Sequence, residues 1–270
     1  MEPMSYPENR LPAGIRGLAA FFLPIGLDET VGSASLMRRV DVKYAASEGQ
    51  LAAVLQDCFG HYSVLEIDGR RVARYETEYF DTPEMGFYHE HHAGRPRRRK
   101  VRIRRYADSG DAYLEVKQRQ ADGRTVKARV AMMAGQQTDI VELLSGPVFQ
   151  SFGPLQADRL YPGVSVSFHR MTLVDPLKME RVTIDHDVTF RLAGRALPLP
   201  GLVVAEVKQS RAGFSRFRDS MRVHGIRPGS LSKYCLGAAC LHGQVKKNLF
   251  KARIRRILQL TGHETAPAIQ

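Results

Sequence analysis

The chain has 270 residues, 43% of them hydrophobic and 25% charged, which suits one large domain with a buried core and excludes a disordered chain. Its 40 Lys+Arg against 28 Asp+Glu give a formal charge of +12, so an anionic partner is expected: nucleic acid, a membrane surface, or a phosphorylated molecule or polymer. No apolar run reaches the roughly 18 residues of a spanning helix. Gly17–Leu27 is interrupted by Pro24 and follows Glu2 and Glu8, which reads against a secretory signal. Three cysteines (Cys58, Cys235, Cys240) are too few and oddly numbered for a disulfide scaffold, and a reducing, cytoplasmic setting is expected.

Residues 1–35 are rich in Gly, Pro and Ser and read as a flexible lead-in. Alternation of charged and apolar residues begins at Arg39–Tyr44 and predicts a strand. Ser47 with Gln50 forms a capping-box pattern, and Leu51, Val54, Leu55, Cys58 and Phe59 make one apolar helical stripe. Strands are predicted over Tyr75–Phe80, Lys100–Tyr106, Ala112–Gln118 and Thr125–Met132, with turn signals at Asp81-Thr82-Pro83, Asp108–Asp111 and Ala121–Gly123. A short helix follows over Thr138–Leu144, then strands over Gly163–Thr172, Arg181–Phe190 and Leu202–Gln209. Helices are predicted over Phe214–His224 and Ser230–Leu241, and an amphipathic basic helix over Gln244–Leu260. The fold class is therefore α+β: an eight-stranded antiparallel β-barrel, closed or nearly so, with helices packed outside. His89, His91 and His92 lie in a predicted loop, with no second ligand set nearby to make a zinc site.

Residues two apart in a strand share a face. Lys100, Arg102 and Arg104 therefore point one way, as do Glu115 with Lys117, Lys127 with Arg129, Arg181 with Thr183 and Asp185, Glu206 with Lys208, and Asp41 with Lys43. Each such face could be the solvent side of a one-sided sheet. That reading fits Val203–Lys208 poorly, because this strand is apolar apart from Glu206 and Lys208, and lone charges on a doubly covered strand are expensive. A wet interior lined by Lys and Arg removes the conflict and suits a polyphosphate, with carboxylates holding Mg²⁺ or Mn²⁺ against phosphate oxygens.

The motifs occur in series: R-x-D-x-K-Y (Arg39 to Tyr44), Y-F-D-T (Tyr79–Thr82), R-x-K-x-R-x-R-x-Y (98–106), L-E-V-K (Leu114–Lys117), V-K-A-R (Val126–Arg129), A-E-V-K (Ala205–Lys208) and S-K-Y (Ser232–Tyr234). Together, over about residues 36–242, they resemble the VTC domain of the triphosphate tunnel metalloenzymes. The resemblance implies a domain over 36–243, followed by a basic helix and tail over 244–270. It implies a polymerase that transfers the γ-phosphoryl group of ATP to inorganic polyphosphate in a cationic tunnel. Matched motif by motif, it implies phosphate contacts from Lys43, Arg102, Arg104, Lys117 and Lys233 and from the later arginines Arg170 and Arg181. Lys127, Arg129 and Lys208 are added as phosphate-binding candidates from their strand faces. Glu206 stands where the family has its metal carboxylate, with Glu115 as a second candidate ligand for Mn²⁺ or Mg²⁺. The E-x-E-x-K pattern of the cyclase and thiamine-triphosphatase branch is absent, and Ser230 stands where some members carry a further lysine. The alternatives are a tripolyphosphatase or nucleoside triphosphatase with water as acceptor, and a non-catalytic polyphosphate- or nucleotide-binding module. Arg95–Arg105 holds eight basic residues in eleven, a pattern also seen in nucleic-acid patches. Strand alternation already accounts for Lys100, Arg102 and Arg104, which reads against nucleic acid. The tail over 244–260 is a candidate for an anionic membrane surface.

Overall fold

The computed structural model describes residues 14–31, 40–133, 139–210 and 213–262. Arg39 and Thr138, and most of the lead-in before Val40, lie outside the described residues. The described strands are β1 (Leu23–Ile25), β2 (Val40–Ser47), β3 (Ser63–Leu65), β4 (Val72–Asp81), β5 (Arg98–Tyr106), β6 (Ala112–Arg119), β7 (Thr125–Met132), β8 (Tyr161–Asp175), β9 (Glu180–Leu192), β10 (Arg195–Leu199) and β11 (Leu202–Gln209). The α-helices are α1 (Ile15–Leu18), α2 (Leu27–Val31), α3 (Glu48–Asp57), α4 (Gly86–His92), α5 (Ile140–Ser145), α6 (Arg216–Val223), α7 (Lys233–Leu241) and α8 (Lys251–Leu260). The fold is α+β. Its main hydrogen-bonded path has the eight expected strands, in the order β2-β11-β9-β8-β4-β5-β6-β7, with β1, β3 and β10 attached beside it. Among the described residues no pairing joins β2 to β7, so backbone hydrogen bonds do not close the sheet into a ring. The outer strand β7 carries exposed Lys127 and Arg129, charges of the kind that keep an edge from pairing further.

The chain forms two compact units drawn from interleaved segments. The first comprises 1–72, 170–186 and 201–230. In its sheet, Tyr44, Ala205 and Ile184 stand in one cross-strand row and Val42, Val207 and Val182 in the next. These residues pack with Leu51, Val54, Leu55 and Cys58 of α3 and its C-terminal turn, and with Phe217 and Met221 of α6. The predicted capping box starts α3: Gln50 N donates to Ser47 Oγ and Ser47 N to Gln50 Oε1. Ile15, Leu18, Ala19 and Phe22 are buried in the same core. This part of the lead-in, expected to be flexible from its Gly and Pro content, is thus held by its apolar side chains. Glu180, 1% exposed, accepts from Tyr62 Oη and from Ser215 Oγ, the cap of α6.

The second unit comprises 73–169, 187–200 and 231–270. Val101, Val116 and Ala128 form one row across β5, β6 and β7, and Ile103, Leu114 and Val130 the next. They pack against Phe149, Phe152, Leu155 and Leu160 of the segment after α5. Residues 86–92, expected to be loop, form α4. Asp81 starts it: its carboxylate accepts from the backbone N–H of Thr82, Phe87 and Tyr88. Tyr234 Oη donates to the same carboxylate, so the Y-F-D-T and S-K-Y motifs are two halves of one buried contact. α7 lies tight on β8 and β9 at Gly237, where an added Cβ would come within 2.6 Å of Phe190 and 2.7 Å of Val164.

Replacing Tyr234 by Phe removes one donor from a buried carboxylate, which typically costs about 1–3 kcal/mol. Denaturant unfolding of Tyr234→Phe is expected to show a loss in that range; an unchanged midpoint would contradict this role.

Candidate phosphate and metal site

In the first unit, the sheet face opposite the core is charged. Lys43, Glu206 and Thr183 occupy one cross-strand row on β2, β11 and β9, and Asp41, Lys208 and Arg181 the next. Glu206 Oε1 lies 3.1 Å from Lys43 Nζ and 2.9 Å from Lys208 Nζ, and Lys43 also pairs with Asp41. Burial resists ionisation of Glu206, but Lys208, a hydrogen bond from Asp41, and Lys43 outweigh it and hold its pKa far below the usual carboxylate range. Asp41 is pushed the other way, by burial and by Glu206 beside it. Lys208 is lowered by its burial, with Glu206 opposing. Asp185, on the same face, takes Arg170 in a bidentate pair, Nε to Oδ1 at 2.5 Å and Nη2 to Oδ2 at 2.7 Å. Arg181 is exposed.

The second unit carries a charged face of its own. Lys100, Lys117 and Lys127 stand directly opposite one another on β5, β6 and β7, with no carboxylate in the row. The next row is Tyr79, Arg102, Glu115 and Arg129, and the one after it Thr77, Arg104 and Tyr113. Arg102 and Glu115 are a buried pair, with Nε donating to Oε2 at 2.6 Å. Burial opposes the ionisation of Glu115, yet Arg102 and then Arg104 lower its pKa. Arg104 lies over the Tyr75 ring and Arg129 over Tyr113. Lys100 Nζ donates to Ser232 Oγ at 3.0 Å while Ser232 caps α7. Lys233, the first residue of α7, places its ammonium 4.7 Å from the Phe168 ring centroid.

The first unit therefore brings together Lys43, Arg170, Arg181, Glu206 and Lys208. The second brings together Arg102, Arg104, Glu115, Lys117, Lys127 and Arg129, with Lys233 at the start of α7 beside Lys100's partner, Ser232. Asp185, which orients Arg170, was marked in the sequence only by sharing a strand face with Arg181, and Ser232, which holds Lys100, only by its place in S-K-Y. Glu115, the second candidate metal ligand, has its carboxylate bound by Arg102. The oxygen donors beside Glu206 are Asp41 and Thr183. Thr183 is 4% exposed, and its Oγ1 has no hydrogen-bond partner among the described residues. Two carboxyls and a spare buried hydroxyl fit a hard divalent cation such as Mg²⁺ or Mn²⁺.

The competing surfaces fare differently. In Arg95–Arg105, Arg99 is turned to α4: it binds Glu90 and lies over Phe87. The run is thus divided between two faces. His91 bonds the Arg99 carbonyl and Glu90 is taken by Arg99, so neither completes a zinc set. The tail helix α8 buries Ile254, Ile257 and Leu258, and Tyr88 Oη donates to the Lys246 carbonyl just before it. These apolar side chains of 244–260, a candidate for a membrane surface, are thus covered by the protein's own chain. No helix among the described residues is long and apolar enough to cross a membrane.

The family model of the VTC domain matches residues 38–242, and the chain belongs to that family. A search of curated proteins finds no match. Among solved structures, a Bacillus halodurans protein assigned as an adenylate cyclase is similar at 14% identity, with 72% of this chain and 94% of that chain covered and a TM-score of 0.49. A Hippeastrum protein assigned as an adenylyl cyclase, with a dominant triphosphatase activity, is similar at 12% identity, with 74% and 95% covered and a TM-score of 0.47.

His91 gives a pH test of this architecture. Burial first, and then Lys100 nearby, push its pKa down to about 3 from 6.5. The folded state keeps the ring neutral while the unfolded chain protonates it, so its contribution is whole above the unfolded pKa and falls away as pH drops below it. Between pH 7 and pH 5 the loss from this group is on the order of 2 kcal/mol. Denaturant titrations at the two pH values should show a smaller loss for His91→Gln than for wild type.

Proposed function

We propose that the chain is a metal-dependent phosphotransferase that builds inorganic polyphosphate from ATP. The observation that carries this reading is the Lys100–Lys117–Lys127 row. Three cations sit directly opposite one another in one cross-strand row, a concentration of positive charge that draws an anion. Arg supplies forked donors and Lys point charges for successive phosphoryl units, and both types alternate here with the Arg102 and Arg104 rows.

Glu206, with Asp41 and the Thr183 hydroxyl beside it, would hold Mg²⁺ or Mn²⁺. The cation supplies charge stabilisation at phosphate oxygens. In the second unit Arg102, Arg104, Lys117 and Lys233 would bind phosphate oxygens, and in the first unit Lys43, Lys208 and Arg181 would do so. The Asp185 pair fixes the direction of Arg170. A terminal phosphate oxygen of the acceptor chain attacks the γ-phosphorus in line, the bond from γ-phosphorus to the bridging oxygen breaks, and ADP leaves with that electron pair. Such a step depends on positioning and electrostatics more than on a strong base, and no general base is assigned.

Hydrolysis is the second reading. It is favoured by Ser230 standing where some family members carry a lysine, one contact fewer for holding an acceptor chain. With ATP and Mn²⁺, the purified protein is expected to accumulate chains on a polyphosphate gel; release of phosphate without polymer would replace the polymerase by the hydrolase. Lys117→Met should lower the rate by about 10²-fold, in line with loss of one transition-state donor. Arg102 is the poorer probe, because its removal strands buried Glu115 at a cost of about 3–5 kcal/mol.

A further inference from the structure

Glu206 is bound by the two lysines of its own face that the proposed function assigns to phosphate. One carboxylate oxygen lies within 3.1 Å of Lys43 Nζ and 2.9 Å of Lys208 Nζ, and Asp41 pairs with Lys43 as well. Two ammoniums are thus set against two carboxyls, which offset part of their charge. A phosphate approaching it meets lysines that already have partners.

We propose that Glu206 and Asp41 form a lock on Lys43 and Lys208 that a divalent cation opens, so that metal binds before phosphate and raises the positive charge this face offers to it. The inference rests on the reading that this face binds phosphates. Three observations support it beyond the ion pairs themselves. The carboxylate side chains keep 21% and 42% of their surface exposed, so an ion from solvent can reach them. Thr183 Oγ1, buried and without a hydrogen-bond partner among the described residues, stands directly opposite Glu206 on β9 and offers a further oxygen to a cation. The Arg170–Asp185 pair on the same face is built differently. It is bidentate with Asp185 only 3% exposed, which holds an arginine permanently in place. A cation that takes the carboxylates adds two charges to the group and leaves both ammoniums free for anionic oxygens.

The lock is tested by calorimetric titration of the full chain with inorganic tripolyphosphate, in chelator and in Mg²⁺, for wild type and Glu206→Gln. In chelator the variant is expected to bind about tenfold more tightly than wild type, because Lys208 is released and Lys43 keeps only Asp41. Mg²⁺ should tighten binding to wild type but bring the variant little further gain. If the chelated variant binds no more tightly than chelated wild type, while wild type binds with Mg²⁺, the lock is wrong and the phosphate reading stands. If neither protein binds in either condition, both fall. Should the variant not fold, lysine ammonium NMR of wild type gives the same decision. Adding Mg²⁺ alone should move the Lys43 and Lys208 signals, identified from Lys43→Arg and Lys208→Arg spectra, and unmoved signals would overturn the lock.

Discussion

Cations placed directly opposite one another across antiparallel strands repel, and a chain at +12 has every reason to scatter its lysines and arginines over solvent. Ten of them (Lys43, Lys100, Arg102, Arg104, Lys117, Lys127, Arg129, Arg170, Arg181 and Lys208) stand instead on the sheet faces opposite the two apolar cores. In three places the repulsion is relieved by a carboxylate: Glu206 between Lys43 and Lys208, Asp185 beneath Arg170, and Glu115 against Arg102. Lys100, Lys117 and Lys127 stand opposite one another in a cross-strand row made of cations alone. The rest of the architecture serves these faces. Apolar residues on alternate positions anchor the strands to helices on the far side, and Asp81, Tyr234, Ser232 and Gly237 fix the helix that carries Lys233.

The balance between paired and open rows also sorts the residues by what their loss would do. Arg102 and Asp185 are tied into buried ion pairs, where removal of one partner leaves the other charged and desolvated. Lys117, Lys127 and Arg129 lie on half-buried or exposed positions of β6 and β7, where substitution desolvates no partner as deeply as loss of Arg102 or Asp185 does. A residue can therefore belong to the charged face and yet contribute chiefly to folding, and mutational loss of activity has to be read together with stability.

Much of this was legible in the chain because period-two alternation is a strong signal. The residues sharing a face with Lys100, Glu206 or Arg181 follow from counting by twos, and the capping box at Ser47 and Gln50 is local in sequence. α4 was missed because its start is set by Asp81, five residues ahead of the helix, and by Met85 in the left-handed region, neither of which resembles a local cap. The burial of Ile15, Leu18 and Phe22 was hidden by the glycines and prolines around them. The Arg170–Asp185 and Arg102–Glu115 pairs join residues 15 and 13 positions apart and depend on strand register, which alternation alone does not supply. The lock at Glu206 was out of reach for the same reason, since Lys43 lies on a strand far away in the chain.

The account stands on the charged faces being anion sites whose carboxylates serve a metal. A crystal structure with tripolyphosphate and Mn²⁺ tests this most directly. The account predicts an anomalous manganese peak bonded to the Glu206 carboxylate, and phosphate density over the Lys43–Lys208 and Lys100–Lys117 positions. Manganese elsewhere, with phosphate confined to the exposed arginines before β5 or to the cations of α8, would contradict it.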